Sequence, residues 1–349
     1  MTQAYFIIPG LLRESKEALD ATDPTVVAAL NALLKGAEPP AEQTLVPTHL
    51  SGSTHLAWSW RVLTRSNESF ATAPYRWAML GGPRFAGEIW RLSILRKDEK
   101  GRIAGFFSGN EKASEAISVA LRGELQKEGF TLQRWDSSFF LTRKKPWHLT
   151  AREAETLVGT LPTEADLQNS ETDTTATEAY AEVEKLNEIL AGLSIPGADA
   201  LWIDGGGLLQ DFYPPTQIRS VLADDAAILG WADAAGILCH RVAKATGATN
   251  WPADAPNGAV LAVFSDLLKA AHQGGASEYN KAILSLCTQI ATLKEAARKR
   301  GCEEALIVAC GKRKTKTFSV KLTNPKSLLA RFAPTKKIDL ATWLYEESD

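Results

Sequence analysis

The sequence predicts an α/β fold, with a mainly parallel sheet covered by helices on both faces and a small α+β insert. Three observations predict it. Short apolar runs ending in turn residues alternate with amphipathic helical stretches over most of the chain, which is the pattern of successive βα units. One stretch after residue 84 breaks that alternation with paired strand-like runs. The 349 residues, 45% hydrophobic and 23% charged, supply enough apolar material for a large domain carrying a smaller one.

Tyr5 to Ile8, stopped by Pro9 and Gly10, reads as a buried first strand. Asp23 and Pro24 then precede Val26, Val27, Leu30, Leu33 and Leu34, with Gly36 beyond, so a capped helix follows. Ile89 to Arg96 and Arg102 to Phe107 form a hairpin, a helix carries Ala113, Ile117, Leu121 and Leu125, and Phe130 to Trp135 pairs with Phe139 to Thr142. These make the insert, residues 84–143, between core segments 1–83 and 144–349. The polar, acidic stretch at about 160–177 has no periodicity and reads as a flexible linker. Glu178 to Leu193 is a long helix, and Ala200 to Ile203 is expected to return the chain to the main sheet. Further βα pairs follow at Ile218 to Leu222 with Ala226 to Ala235, and at Ala259 to Phe264 with Glu278 to Arg300. Strands at Ala305 to Ala309 and Thr317 to Leu322 complete the series.

The formal net charge of −2 argues against nucleic acid or an anionic membrane as a global partner and leaves only local patches. Cys239, Cys287, Cys302 and Cys310 lack CxxC spacing and read as reduced core thiols. No apolar run approaches the roughly 20 residues of a membrane span, and the first residues lack the pattern of a signal peptide. A cytoplasmic protein is expected.

Asp204 followed by Gly205, Gly206 and Gly207 after a strand fits either a backbone cradle for a phosphate or a plain turn. Ser53 and His55 place a hydroxyl two residues from an imidazole. That pair fits either a nucleophile with its base or the cap of a helix through Leu56, Trp60 and Leu63. The five histidines show no metal-binding spacing. Lys312, Arg313, Lys314 and Lys316, with Arg298 to Arg300 and Lys336-Lys337, make the C-terminal part basic, suited to a phosphorylated ligand or to solvent.

Several strings point further. Ala200 to Gly207 is a strand ending in glycines. Val263 to Gly274 carries His272 in a loop before a long helix. The 84–143 insert has two hairpins around a helix, and Gly52-Ser53 precedes a helix. In this order the elements resemble the archaeal-type cofactor-independent phosphoglycerate mutases of the alkaline-phosphatase-like superfamily. They also resemble the shorter proteobacterial phosphoglycerate mutase-like or Rpf-type regulatory proteins. The resemblance implies an alkaline-phosphatase-like core with a cap. It also implies a serine that accepts a phosphoryl group between two metals, which would make Ser53 the candidate nucleophile and His272 a candidate ligand.

The ligand positions depart from that pattern. Thr54 stands where an aspartate follows the serine, Leu268 replaces another, Gly311 and Lys312 stand for adjacent Asp and His, and the first strand ends in Pro9, Gly10 and Leu11 rather than Asp-Gly. Such a site lacks the anionic oxygens that Mn²⁺ or Mg²⁺ needs. The expectation is therefore a catalytically inactive relative with a ligand-binding, partner-binding or regulatory role. It takes no cofactor and binds a small anion or a protein partner through Lys312, Arg313, Gly205 and Gly206. The alternatives are an active serine phosphomutase or phosphatase with manganese or zinc, and a nucleic-acid-binding protein using the basic patch.

Overall fold

The computed structural model describes residues 2–13, 23–44, 53–66, 70–135, 138–169, 173–212, 217–242, 257–273, 275–322 and 340–345. Strand β1 (Gln3–Pro9) is buried without a break from Phe6 to Pro9, as a central strand covered on both faces must be. Helix α1 (Pro24–Leu33) starts at Asp23, whose carboxylate accepts the Thr25 amide at 2.7 Å, with proline in its first turn. Next come β2 (Ala41–Thr44), α2 (Thr54–Thr64) and α3 (Ala73–Met79). A second group comprises β3 (Glu88–Lys97), β4 (Ile103–Phe106), α4 (Glu111–Lys127), β5 (Phe130–Trp135), β6 (Ser138–Arg143), β7 (Leu149–Ala151), β8 (Leu167–Asn169), α5 (Asp173–Gly192) and β9 (Ala200–Leu208). The remainder is β10 (Ile218–Ala223), α6 (Ala226–Ala234), β11 (Leu238–Arg241), β12 (Ala259–Val263), α7 (Asp266–Gln273), α8 (Ala276–Lys299), β13 (Glu304–Cys310), β14 (Lys314–Lys321) and α9 (Leu340–Trp343).

The main sheet has the order β11-β10-β12-β1-β13-β14-β2. Strand β1 runs parallel to both neighbours, with Ile7 opposite Val263 and Val308. Only the β14 side is antiparallel. Successive side chains on β1 point to opposite faces, so Phe6 and Ile8 pack with α1 and α8 while Ile7 packs with α2, α3 and α6. In α8 the buried residues Tyr279, Ile283, Leu286, Ile290, Leu293 and Ala297 recur at helical spacing. The mixed α/β architecture with helices on both faces is as expected.

The second sheet has the order β4-β3-β6-β5, and β9 pairs along the other edge of β3. This corrects one expectation: Ala200 to Ile203 does not rejoin the main sheet. An apolar run can complete either sheet, and here the partner is selected by a charge pair, because Arg91 in β3 stands opposite Asp204 in β9. Leu149, Leu157, Leu167, Val183, Leu186 and Leu190 belong to the same core, so packing on this sheet continues beyond residues 84–143. The stretch expected to be a flexible linker is also structured over much of its length. Residues Glu164–Asp166 form a 3₁₀ turn capped by Thr163, and Asp166 is buried and 3.1 Å from Arg152. Its acidic side chains serve as caps and ion-pair partners, which composition alone does not reveal.

Helices α3 and α6 cross at Gly230, where a Cβ would lie 2.5 Å from the Tyr75 carbonyl oxygen and 2.7 Å from the Tyr75 Cβ. Gly230→Ala is therefore expected to lower the unfolding free energy by about 1–3 kcal/mol through overpacking. Urea denaturation reads this directly, and an unchanged midpoint would contradict the close crossing.

Candidate functional site

In open parallel sheets, ligand sites form beyond the carboxyl ends of the strands. Here those ends lead into Gly10 after β1, Asp224 and Asp225 after β10, Phe264 and Ser265 after β12, and Gly311 after β13. Helix α2 brings its first turn to the same edge, where Thr54 Oγ1 donates to the Gly311 carbonyl at 2.5 Å.

Ser53 occupies the N-cap position of α2, yet its hydroxyl makes no capping hydrogen bond. It lies instead 2.6 Å from His55 Nδ1. His55 is only 3% exposed, and its Nε2 has no hydrogen-bond partner and lies 4.0 Å from Asp225 Oδ2. Asp225 caps α6 by accepting the Ala227 amide at 2.7 Å and faces Arg76 Nη2 at 3.4 Å. Burial pushes the Asp225 carboxyl up, but Arg76, His55 and the Ala227 amide outweigh it and hold the group well below the usual carboxylate range. An anionic Asp225 favours the imidazole proton on Nε2, which leaves the Nδ1 lone pair facing the serine hydroxyl.

Behind Asp225 a buried ionic network runs from the main sheet into the second one. Arg76 on α3 lies 3.4 Å from Glu155 and 3.8 Å from Glu153. Arg91 donates from Nε to Asp204 at 2.7 Å, from both terminal nitrogens to Glu155 at 2.6 Å, and from Nη2 to Glu153 at 3.1 Å. Ser93 and the Ala154 amide also donate to Asp204, each at 3.2 Å. Four carboxylates thus face two guanidinium groups. Burial, and next the neighbouring Asp204, push Glu153 up to about 8, and it shares a hydrogen bond with Thr72 Oγ1. Burial opposes ionisation of Glu155 too, but Arg91 prevails and holds it well below the normal range.

The structure separates the residues read from sequence as one anion site. Gly205 and Gly206 lie in β9 of the second sheet. A Cβ on Gly205, which has φ +64°, would stand 2.1 Å from Thr72 Oγ1, and one on Gly206 would stand 2.0 Å from Trp90. These glycines admit close packing rather than forming a phosphate loop. Lys312 and Arg313 are exposed in the turn between β13 and β14. His272 falls in α7, but its side chain lies outside the described residues, as do Gly52, His49, Lys336 and Lys337. Cys287, Cys302 and Cys310 are buried, as expected of core thiols, whereas Cys239 is only partly buried.

Several polar groups described at this edge are paired within the chain. The Gly10 carbonyl accepts from Tyr279 Oη at 2.8 Å, Leu11 is buried, and the Thr54 hydroxyl is committed to Gly311. The edge carboxylates are held by the chain's own cations: Asp224 by Lys269 at 3.1 Å, Asp266 by the same lysine at 3.5 Å, and Asp225 by Arg76. Among the described residues, the group of acidic side chains that converges closely enough to hold an ion is Glu124, Glu128 and Glu182, on and next to α4 and on α5.

No known protein family and no curated protein matches the chain. Among solved structures, it is similar to a cofactor-independent phosphoglycerate mutase from Thermoplasma acidophilum DSM 1728, at 12% identity and a TM-score of 0.40, over 92% of this chain and 90% of that one. It is also similar to the PH0037 protein of Pyrococcus horikoshii, at 13% identity and a TM-score of 0.43, over 92% of this chain and 87% of that one. No helix of the described residues is long and apolar enough to cross a membrane.

Sequence reasoning found Ser53 and His55 but missed Asp225, Arg76, Arg91, Glu153, Glu155 and Asp204. A signal existed for two of them: Arg91 interrupts the run from Ile89 to Leu95 and Asp204 is the one charge in β9, and buried charges need partners. Glu153 also supplies a pH test. Its folded pKa lies above that of the unfolded chain, so the stability it contributes is complete below about 4.5 and is lost as pH rises through about 8. Glu153→Gln is expected to gain stability relative to the unmodified chain between pH 5 and 8, by at most about 1.4 kcal/mol per pH unit. Parallel melts at several pH values check this, and parallel curves would contradict it.

Proposed function

We propose that the chain is a phosphoglycerate mutase-like protein that works without two-metal phosphoryl transfer and binds a small anionic ligand at the carboxyl edge of its main sheet. One observation carries this reading: Asp224, Asp225 and Asp266 are each engaged by a lysine or arginine of the chain itself, where a metal-binding edge would leave its carboxylates to converge on an ion. Fixed lysines and arginines supply positive charge without a labile metal, and this favours holding an anion over transferring a phosphoryl group. Lys312 and Arg313 are exposed and follow Gly311, whose carbonyl is tied to the first turn of α2, which supports a role for them near the positive end of that helix. Ligand binding, rather than turnover of phosphoglycerate, is the role these features support.

The test is calorimetry with inorganic phosphate and with 3-phosphoglycerate, in the presence of EDTA. Binding is expected to survive EDTA, to weaken with added salt, and to fall about tenfold or more in Lys312→Ala/Arg313→Ala. Near-stoichiometric Mn²⁺ or Zn²⁺ in the purified protein, with metal-dependent mutase turnover, would overturn the reading in favour of an enzyme. Salt-sensitive binding of DNA in place of small anions would overturn it in favour of nucleic acid.

A further inference from the structure

We propose that Ser53 is a metal-free nucleophile, activated by His55 and positioned through Asp225, that cleaves small carboxylic esters bearing an anionic group. The inference goes beyond ligand binding and rests on the preceding reading for the anionic group of the ester and for a reaction in which no metal takes part.

Three observations carry it. First, the Ser53 hydroxyl stands at the N-cap of α2, where it would ordinarily accept a backbone amide, but makes no such bond and faces His55 Nδ1 at 2.6 Å. Second, His55 is buried, and its other nitrogen is directed toward a carboxylate at 4.0 Å with no hydrogen-bond partner of its own. A structural histidine at this depth would be expected to have that N–H satisfied. Third, Asp225 is itself fixed twice, by the α6 amide of Ala227 and by Arg76. Serine, imidazole and carboxylate in this sequence of contacts have the roles of nucleophile, base and orienting group, whichever ring nitrogen meets the serine.

Among the described residues the edge carboxylates Asp224, Asp225 and Asp266 are engaged by Lys269 and Arg76, and an edge that works without a metal favours a neutral electrophile. A phosphate monoester carries charge that repels an incoming alkoxide unless cations neutralise it, whereas a carboxylic ester is neutral at the attacked carbon. In the first step the Ser53 Oγ forms a bond to the acyl carbon while its proton passes to His55 Nδ1. The ester C–O bond then breaks, and the leaving alcohol takes that proton. In the second step water attacks the acyl-serine, gives a proton to the same nitrogen, and releases the acid as Ser53 recovers its hydrogen. The N-terminal end of α2, which carries Ser53 and to which Thr54 ties the Gly311 carbonyl, suits an anionic substituent.

The experiment is labelling of the full-length protein, in EDTA, with an alkyl fluorophosphonate. Ser53 Oγ would bond to phosphorus, fluoride would leave, and the proton would pass to His55. Mass spectrometry is expected to place one adduct on Ser53 and none in Ser53→Ala. His55→Gln is expected to slow labelling by about 100-fold or more. Added imidazole is expected to restore the rate in His55→Gly, a response that a merely structural histidine would not show. Asp225→Asn is expected to slow labelling about tenfold, whereas Asp225→Glu, which keeps the charge, retains more of the rate. No adduct on Ser53 of the unmodified chain, or equal rates with and without His55, would overturn the proposal. Loss of the adduct with anion binding intact refutes only the nucleophile, and an adduct without anion binding refutes only the ligand reading.

Discussion

Arg91 is the constraint around which the second sheet is assembled. A guanidinium taken out of water loses several kcal/mol of hydration, and only well-placed anions offset that loss. Arg91 has Asp204 along one edge and Glu155 across its end, each in paired geometry, with Glu153 beside them. Because Asp204 comes from β9 and the two glutamates from the turn that follows β7, satisfying this one side chain fixes two segments against β3. Removing Arg91 would leave Asp204 and Glu155 buried without their main cation, so these side chains act as a unit rather than as separate pairs.

The network also reaches the carboxyl edge of the main sheet. Arg76 shares Glu153 and Glu155 with Arg91 and reaches Asp225 with the same guanidinium. Asp225 is thereby kept anionic next to His55, and the tautomer of His55 sets the environment of Ser53. The second sheet, which contributes no residue at the edge itself, thus determines the charge state of the group behind the serine. The close α3–α6 crossing at Gly230 serves the same end, since it brings the helix bearing Arg76 against the helix capped by Asp225.

Charge balance shapes the described part of this edge. Fixed cations reach the edge carboxylates from within the chain, through Lys269 and Arg76, and hydrogen bonds from Thr54 and Tyr279 close the carbonyls of Gly311 and Gly10. A divalent ion would have to displace these partners.

Much of the fold was legible in the sequence because helix and strand periodicities are local. The buried run of β1, the Asp23 cap of α1, the long stripe of α8 and the two hairpins around α4 all follow from residues a few positions apart. The proximity of Ser53 and His55 was legible for the same reason. What the sequence could not determine was which sheet an apolar strand would join: Ala200 to Ile203 fits either, and the choice fell to Arg91 and Asp204 pairing across β3 and β9. Nor could it place Asp225 behind His55 or show that Gly205 and Gly206 pack against Thr72 and Trp90. Those decisions depend on contacts between residues far apart in the chain, where burial turns weak charges into strong constraints, and only the tertiary structure brings such residues together.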